Sequence, residues 1–245
     1  MSKRIKFFLG HLTISIAIAL FFIALVFFVW YPAPLAKAVG VTQIFLMLIA
    51  IDVIIGPFLT LLVYKEGKKT LKMDLTIIIV IQVAALSYGL FNIAQGRPAW
   101  IVYDNAGRFD LVRNNEIETE KIEQAQQAYK KVSWLKPQIV ALEKEKTVAE
   151  QNKRLFEDIG HGVVPTMHPE RYTQLSHAKF DLQQNAEKID VLVNYNSKDD
   201  VERVLHQYPA ANAWFPLKAT AVDMVVLINN EKGEVVKIVD LRPWK

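Results

Sequence analysis

The sequence predicts a membrane protein with three transmembrane α-helices, followed by an extracytoplasmic α+β domain whose sheet is mainly antiparallel. Three observations lead to this fold class: three long apolar runs, very uneven charges between them, and short strands with turn residues after position 97. A helix of about twenty residues spans the roughly 30 Å hydrocarbon core of a bilayer. We therefore divide the chain into a membrane domain, residues 1–96, and an outer domain, residues 97–245.

The three apolar runs are Phe7–Tyr31, Val41–Tyr64 and Leu75–Ala94. The first run is too long for a secretory signal peptide. It ends at Trp30-Tyr31-Pro32, an aromatic membrane boundary rather than a small-residue cleavage site. We expect it to be retained as a helix.

Positive charges in the short loops predict the orientation. Loop Lys65–Asp74 carries four lysines, whereas Pro32–Gly40 carries one. Positive residues in short loops stay in the cytoplasm. The N-terminus and Lys65–Asp74 are therefore expected in the cytoplasm, and everything after about Gln95 outside it.

The net charge of +4 and the pI of about 9.1 come from the membrane half. Residues 1–96 hold eight basic and three acidic side chains, whereas the outer domain has a net charge of −1. A nucleic-acid-binding domain would carry clustered basic residues, so no nucleic-acid partner is expected. The chain has no cysteine, which excludes a disulfide framework.

The outer domain begins with a predicted β-hairpin, Ala99–Asp104 and Arg108–Arg113, around an Asn/Gly turn. Glu118–Val132 is rich in Glu, Gln, Ala and Lys with apolar residues at helical spacing, so it predicts a helix. Pro137–Leu142 is a short strand candidate.

Three helices and a second hairpin complete the prediction. Thr147–Ile159 is expected to be a helix that Gly160 and Gly162 end, and a short helix is expected to start at His168-Pro169-Glu170. Ser197–Gln207 has a favourable N-cap in its serine. The last hairpin joins the following two strands: Val222–Asn229 and Glu234–Leu241.

No pattern in the outer domain is typical of a catalytic or cofactor site. Its histidines lack metal-ligand spacing, and its serines lack the glycine-flanked turn of hydrolases. We expect no catalytic residues, no metal and no cofactor.

Asp52 is the exceptional residue of the membrane half. It lies near the middle of the second run, where an ionisable group costs about 3 kcal/mol or more unless it is paired or neutral. Gly56 and Pro57 follow one turn later, and Pro57 deprives the Val53 carbonyl of its helical hydrogen bond. A kink with polar groups inside the bilayer is therefore expected.

Gln82 in the third run is a candidate partner for Asp52. Counted from the cytoplasmic ends, the two residues lie about 18 and 11 Å deep at about 1.5 Å per residue. Three roles remain open for Asp52: joining this helix bundle, binding a partner's membrane helix, or catalysis, which would need a second placed aspartate. We take Asp52, Gly56, Pro57 and Gln82 as candidate partner-binding residues, and His11 as an interfacial residue.

Several motifs resemble one family. They are Ile51–Thr60, which contains Asp-x3-Gly-Pro-x2-Thr, then Tyr64–Lys68, Leu71–Leu75, Ala85–Gly89, Gln95–Pro98, Trp100–Tyr103 and Asp240–Trp244. Together they resemble the TfpX/TfpZ family of type IV pilin accessory proteins. The resemblance runs from the first helix to the last strand and is looser over Phe180–Asn196.

The resemblance implies a non-enzymatic helper in the bacterial inner membrane, a chaperone that supports the stability and assembly of the major type IV pilin. Before assembly such a pilin is a single apolar helix in the membrane, with a glutamate near one end and a periplasmic head. The resemblance carries over no binding residues. The expected partners are the pilin and membrane lipid, and whether the chain forms a homo-oligomer is left open.

The alternative function is a membrane sensor with a ligand-binding periplasmic domain. Its cytoplasmic segments would be only Met1–Lys6 and Lys65–Asp74, too short for an output domain. A membrane enzyme is the third hypothesis, and it is disfavoured because the sequence shows no set of residues that would form a catalytic site.

Overall fold

The computed structural model describes residues 2–145, 147–161 and 164–245. The chain forms two compact units. The helical unit contains the residues up to Ala36 together with Gly40–Gly96, and the sheet unit contains Lys37–Val39 together with Arg97–Lys245.

Three helices of the helical unit are long and apolar enough to cross a membrane, by length and composition. They are α1 (Lys3–Ala24, continued by the π-helical segment Leu25–Trp30), α3 (Val41–Val63) and α4 (Leu71–Gln95), and a short helix, α2 (Leu35–Val39), precedes α3. The three predicted apolar helices are thus confirmed.

Helix α3 is the centre of this unit, because α1 and α4 both pack against it. At one end of α1, Lys3 forms an ion pair with Glu66, and the Arg4 side chain donates to the Leu61 carbonyl. Farther along the chain, beyond α1, the Tyr31 hydroxyl donates to the Ile93 carbonyl over 2.7 Å.

The sheet unit contains an eight-stranded sheet. Its strands are β1 (Pro98–Tyr103), β2 (Phe109–Arg113), β3 (Gln138–Leu142), β4 (Tyr172–Gln174), β5 (Glu187–Lys188), β6 (Ala213–Lys218), β7 (Met224–Asn229) and β8 (Glu234–Val239). Their order is β4-β3-β1-β2-β6-β7-β8, with β5 paired to β6. The pairs β1–β3 and β2–β6 are parallel and the others antiparallel, which confirms the mainly antiparallel sheet.

Three helices accompany the sheet: α5 (Val148–His161), α6 (Lys179–Asn185) and α7 (Lys198–Gln207). The predicted cap of α7 is confirmed, since the Ser197 hydroxyl accepts the Asp200 N–H over 3.1 Å. The predicted short helix is a 3₁₀ turn, Pro169–Arg171. Gly160, predicted to end this helix, instead lies inside α5, and Gly162, the second predicted stop, lies outside the described residues.

The prediction of a helix over Glu118–Val132 is wrong. The segment contains one 3₁₀ turn, Ile122–Gln124, and otherwise turns. Tyr129 is buried in a core cluster, with its ring 5.8 Å from that of Trp100. Tertiary packing of this kind overrides a weak local propensity.

Strands β4, β5 and β6 were not predicted. Strand β6 was missed because it contains Pro216, and a proline within an apolar run argues against a strand. It is tolerated since it lies between the residues of β6 that pair with β5, Ala213–Trp214, and those that pair with β2, Leu217–Lys218.

Candidate functional site

Gln82 is the centre of a polar network inside the three helices. Its amide nitrogen donates to the backbone carbonyl of Asp52 over 3.0 Å and approaches the Ser15 hydroxyl at 3.3 Å. Its amide oxygen lies 3.0 Å from Nε2 of His11. The predicted proximity of Asp52 and Gln82 is therefore present, and the direct bond uses the main chain of Asp52.

The network continues from His11 to Thr60, whose hydroxyl lies 2.7 Å from Nδ1 of the imidazole. The Asp52 carbonyl can only accept, so the NH2 group of Gln82 must face it and the amide oxygen must face His11. His11 therefore carries a proton on Nε2. In the neutral tautomer its Nδ1 accepts the Thr60 hydroxyl proton.

Gly56 provides the space that this network needs, and Pro57 follows it in α3. Both are buried, and Pro57 lies inside the continuous helix α3. A methyl group placed on Gly56 would overlap the side-chain amide of Gln82. A residue without a side chain at position 56 therefore allows the Gln82 amide to reach across to α1 and α3.

The carboxyl group of Asp52 faces an open cavity. Asp52 is the middle residue of the 23-residue helix α3, and it is half-buried beside the Gln82 amide and within electrostatic range of His11. An ionisable group at mid-bilayer depth is costly unless it is paired or hydrogen-bonded. Asp52 thus borders the cavity, with its carboxyl group in contact with the Gln82 amide.

We call this cavity the polar groove. Its volume is about 520 Å³. Its lining comes from α1 (Lys6, Phe7, Gly10, His11, Ile14, Ser15, Ile18), α3 (Asp52, Thr60) and α4 (Leu75, Ile79, Gln82, Val83, Leu86). Polar side chains from all three helices thus meet in a groove whose other walls are mostly apolar.

His11, Ser15 and Thr60 were not among the predicted site residues. A spacing signal was present in the sequence, because His11 and Ser15 are four residues apart and Thr60 is four residues beyond Gly56. Residues four apart share a helix face. The sequence contains no comparable signal for which of these faces meet.

A second polar cluster lies in the sheet unit and is structural. Arg171 makes a bidentate ion pair with Asp158 of α5, at 2.7 and 2.8 Å, and both side chains are buried. Nδ1 of His168 lies 3.2 Å from Glu170. Burial raises the pKa of the Glu170 carboxyl, but hydrogen bonds from His168 and the backbone outweigh it, so the pKa is lowered. This cluster connects α5 to the segment before β4.

Among residues 2–145, 147–161 and 164–245, no group of three or more His, Asp or Glu side chains could hold a metal ion. The chemistry that the described residues offer is hydrogen bonding and one carboxyl group in an apolar setting.

Comparisons with known proteins agree with one another. Residues 1–40 match a family model described as fimbrial assembly protein FimB. Two fimbrial assembly proteins of Dichelobacter nodosus, of serogroups I and E1, are each 29% identical over 145 residues, 58% of this chain and 56% of the relative. No solved structure matches the chain significantly.

A third relative identifies the family to which the chain belongs. The fimbrial assembly protein of Dichelobacter nodosus serogroups C1 and C2 is 36% identical over 96 residues, 38% of this chain and 73% of that protein. The chain spans about half the length of the serogroup I and E1 relatives. With three helices able to cross a membrane, a mainly antiparallel sheet and these similarities, the chain belongs to the family of fimbrial assembly proteins.

Proposed function

We propose that this protein is a non-enzymatic membrane accessory protein for the assembly of type IV fimbriae, and that it acts as a chaperone for the major pilin. The similarity to the fimbrial assembly proteins of Dichelobacter nodosus supports a role in assembly. The narrower TfpX/TfpZ assignment belongs to this proposal, as does the division into functional domains 1–96 and 97–245.

The polar groove is the proposed binding site for the membrane helix of the pilin. The observation that supports this most is the carboxyl group of Asp52, half-buried in the middle of α3 and facing an open groove. Apolar walls suit an apolar helix, and a hydrogen bond to Asp52 would fix its depth. Gly56 and Pro57 shape α3 there, and Gln82 holds the three helices in the arrangement that the groove needs.

The proposed location is the bacterial inner membrane, with the N-terminus in the cytoplasm and residues 97–245 in the periplasm. Loop Lys65–Asp74, with its four lysines, supports this orientation. The outer domain would then lie on the same side as the pilin head, where it could contribute to partner choice.

Reporter fusions test the orientation. We expect alkaline phosphatase fused after Lys245 to be active, because this enzyme folds only outside the cytoplasm. The same reporter inserted within Lys65–Asp74 should be inactive. The reverse pattern would contradict the orientation and would remove the outer domain from the side of the pilin head.

Co-isolation tests the function. The full chain, extracted from a fimbriated strain in mild detergent, should retain the pilin subunit, and deletion of the chain should lower subunit level and surface fimbriae. An unrelated protein with three membrane helices, purified with the same tag, is the control. Normal fimbriation without the chain would refute the proposed function.

A further inference from the structure

A short loop of the sheet unit has a composition suited to a membrane surface. We call residues 131–136, Lys-Val-Ser-Trp-Leu-Lys, the Trp134 loop. Trp134 and Leu135 are 65% and 67% exposed, and Lys131 and Lys136 are exposed on either side. The loop contains no acidic residue. An exposed Trp-Leu pair is costly in water but favourable in a bilayer interface.

The Trp134 loop is fixed in the sheet unit rather than extended from it. Val132 packs against the core cluster around Trp100. The Arg97 guanidinium lies 4.9 Å from the centre of the Trp134 ring. The backbone carbonyl of Arg97 in turn accepts the Asn114 N–H over 2.9 Å. The position of Trp134 is therefore tied to that of Arg97.

Chain connectivity places Arg97 near the bilayer. It follows Gln95, the last residue of the third apolar helix, by two residues, which span at most about 7 Å. At the same end of the helical unit, Tyr31 donates to the carbonyl of Ile93. The end of a membrane-spanning helix lies close to the boundary between hydrocarbon and headgroups. The headgroup region is therefore within reach of the Trp134 side chain.

The charges of the loop match one kind of lipid. Lys130 pairs with Glu123 at 2.8 Å, so Lys131 and Lys136 are the cations that we assign to the surface. Lysines close to a bilayer are attracted to anionic headgroups. A tryptophan flanked by lysines thus combines an interfacial anchor with an electrostatic one.

We propose that the Trp134 loop inserts into the headgroup region of the bilayer next to residue 97, and that Lys131 and Lys136 bind anionic phospholipid there. This contact would anchor the sheet unit to the membrane surface near its junction with the third helix. The inference does not depend on the proposed role in fimbrial assembly.

The natural absence of cysteine makes a direct test possible. The full chain with Leu135→Cys, labelled with a nitroxide, is reconstituted in vesicles of phosphatidylglycerol and phosphatidylcholine. Phe180→Cys, at a side chain that is 70% exposed in the same unit, is the matched control. Collisions with oxygen, which concentrates in lipid, are compared with collisions with a water-soluble nickel chelate.

We expect the label at position 135 to lose most of its chelate collisions and to gain oxygen collisions relative to the label at position 180. Lys131→Gln together with Lys136→Gln should restore chelate access in the anionic vesicles. Free chelate access at position 135 would overturn the proposal. Exclusion of both reagents would also overturn it, since it would place Leu135 against protein. An unchanged result with the lysine variants would overturn the anionic-lipid contact.

Discussion

Gln82→Leu is expected to lower the amount of folded protein in the membrane, and with it fimbriation. The substitution removes the hydrogen bonds that join Gln82 to His11, Ser15 and the Asp52 carbonyl. Intramembrane hydrogen bonds average about 0.6 kcal/mol each, so their joint loss costs about 2 kcal/mol. The measurement is the level of the chain in isolated membranes and the fraction that stays folded on heating in detergent.

Two further variants distinguish loss of the hydrogen bonds of Gln82 from a general effect of substitution in α4. Ile81→Leu changes a neighbouring side chain that is 63% exposed and should leave both readouts unchanged. His11→Phe should lower stability by itself, and the double variant should lose less stability than the sum of the two single variants, because both remove the hydrogen bond that joins His11 to Gln82. Wild-type stability of Gln82→Leu would contradict the structural role of the network.

Asp52→Leu is expected to act differently, with normal accumulation of the chain and loss of subunit binding. The hydrogen bond that Gln82 donates to the backbone oxygen of Asp52 survives substitution of the side chain, and only the contact between the Gln82 amide and the carboxyl group is lost. If the carboxyl group binds the partner as an ionised acceptor, its removal costs about 1.5–3 kcal/mol, or about tenfold or more in affinity. The measurement is the amount of subunit that co-purifies, together with surface fimbriae.

Asp52→Asn distinguishes the charge from the hydrogen-bonding group. It keeps the volume and part of the hydrogen bonding, so a role for the charge predicts the same loss as in Asp52→Leu. Ile51→Leu, at a neighbouring side chain that is 52% exposed, should bind subunit normally. A purely structural Asp52 predicts instead that the asparagine is tolerated. Normal fimbriation with Asp52→Leu would contradict the proposed binding role of Asp52.

Sequence patterns predicted the elements whose local signals agree with their surroundings. Apolar length gives α1, α3 and α4, and turn residues with alternating strands give the hairpins β1–β2 and β7–β8. The helix prediction over Glu118–Val132 was wrong because apolar residues of this segment pack into the core around Trp100 rather than forming one face of a helix. Strand β6 was not predicted because Pro216 is acceptable only where one of its two sides lacks a paired strand, and the topology of the sheet decides that.

The candidate site was predictable in part. Asp52, Gly56, Pro57 and Gln82 were distinguished by depth and residue type. The sequence could not assign His11, because a histidine near a helix end is ordinarily interfacial. Its contact with Gln82 depends on how α1 and α4 pack against α3, and pairing between helices leaves no periodic signal in either one.

Cross-linking from the polar groove tests most directly the claim that the membrane helix of the pilin binds in this groove. A photoreactive phenylalanine analogue at Ile79, which lines the groove, is compared with the same group at Ile81, two residues away on α4 and outside the groove lining. The positions differ by only about 3 Å in depth. We predict that irradiation of fimbriated cells links the pilin subunit to position 79 and not to position 81. Equal linkage from both positions, or none from position 79, would contradict binding in the groove.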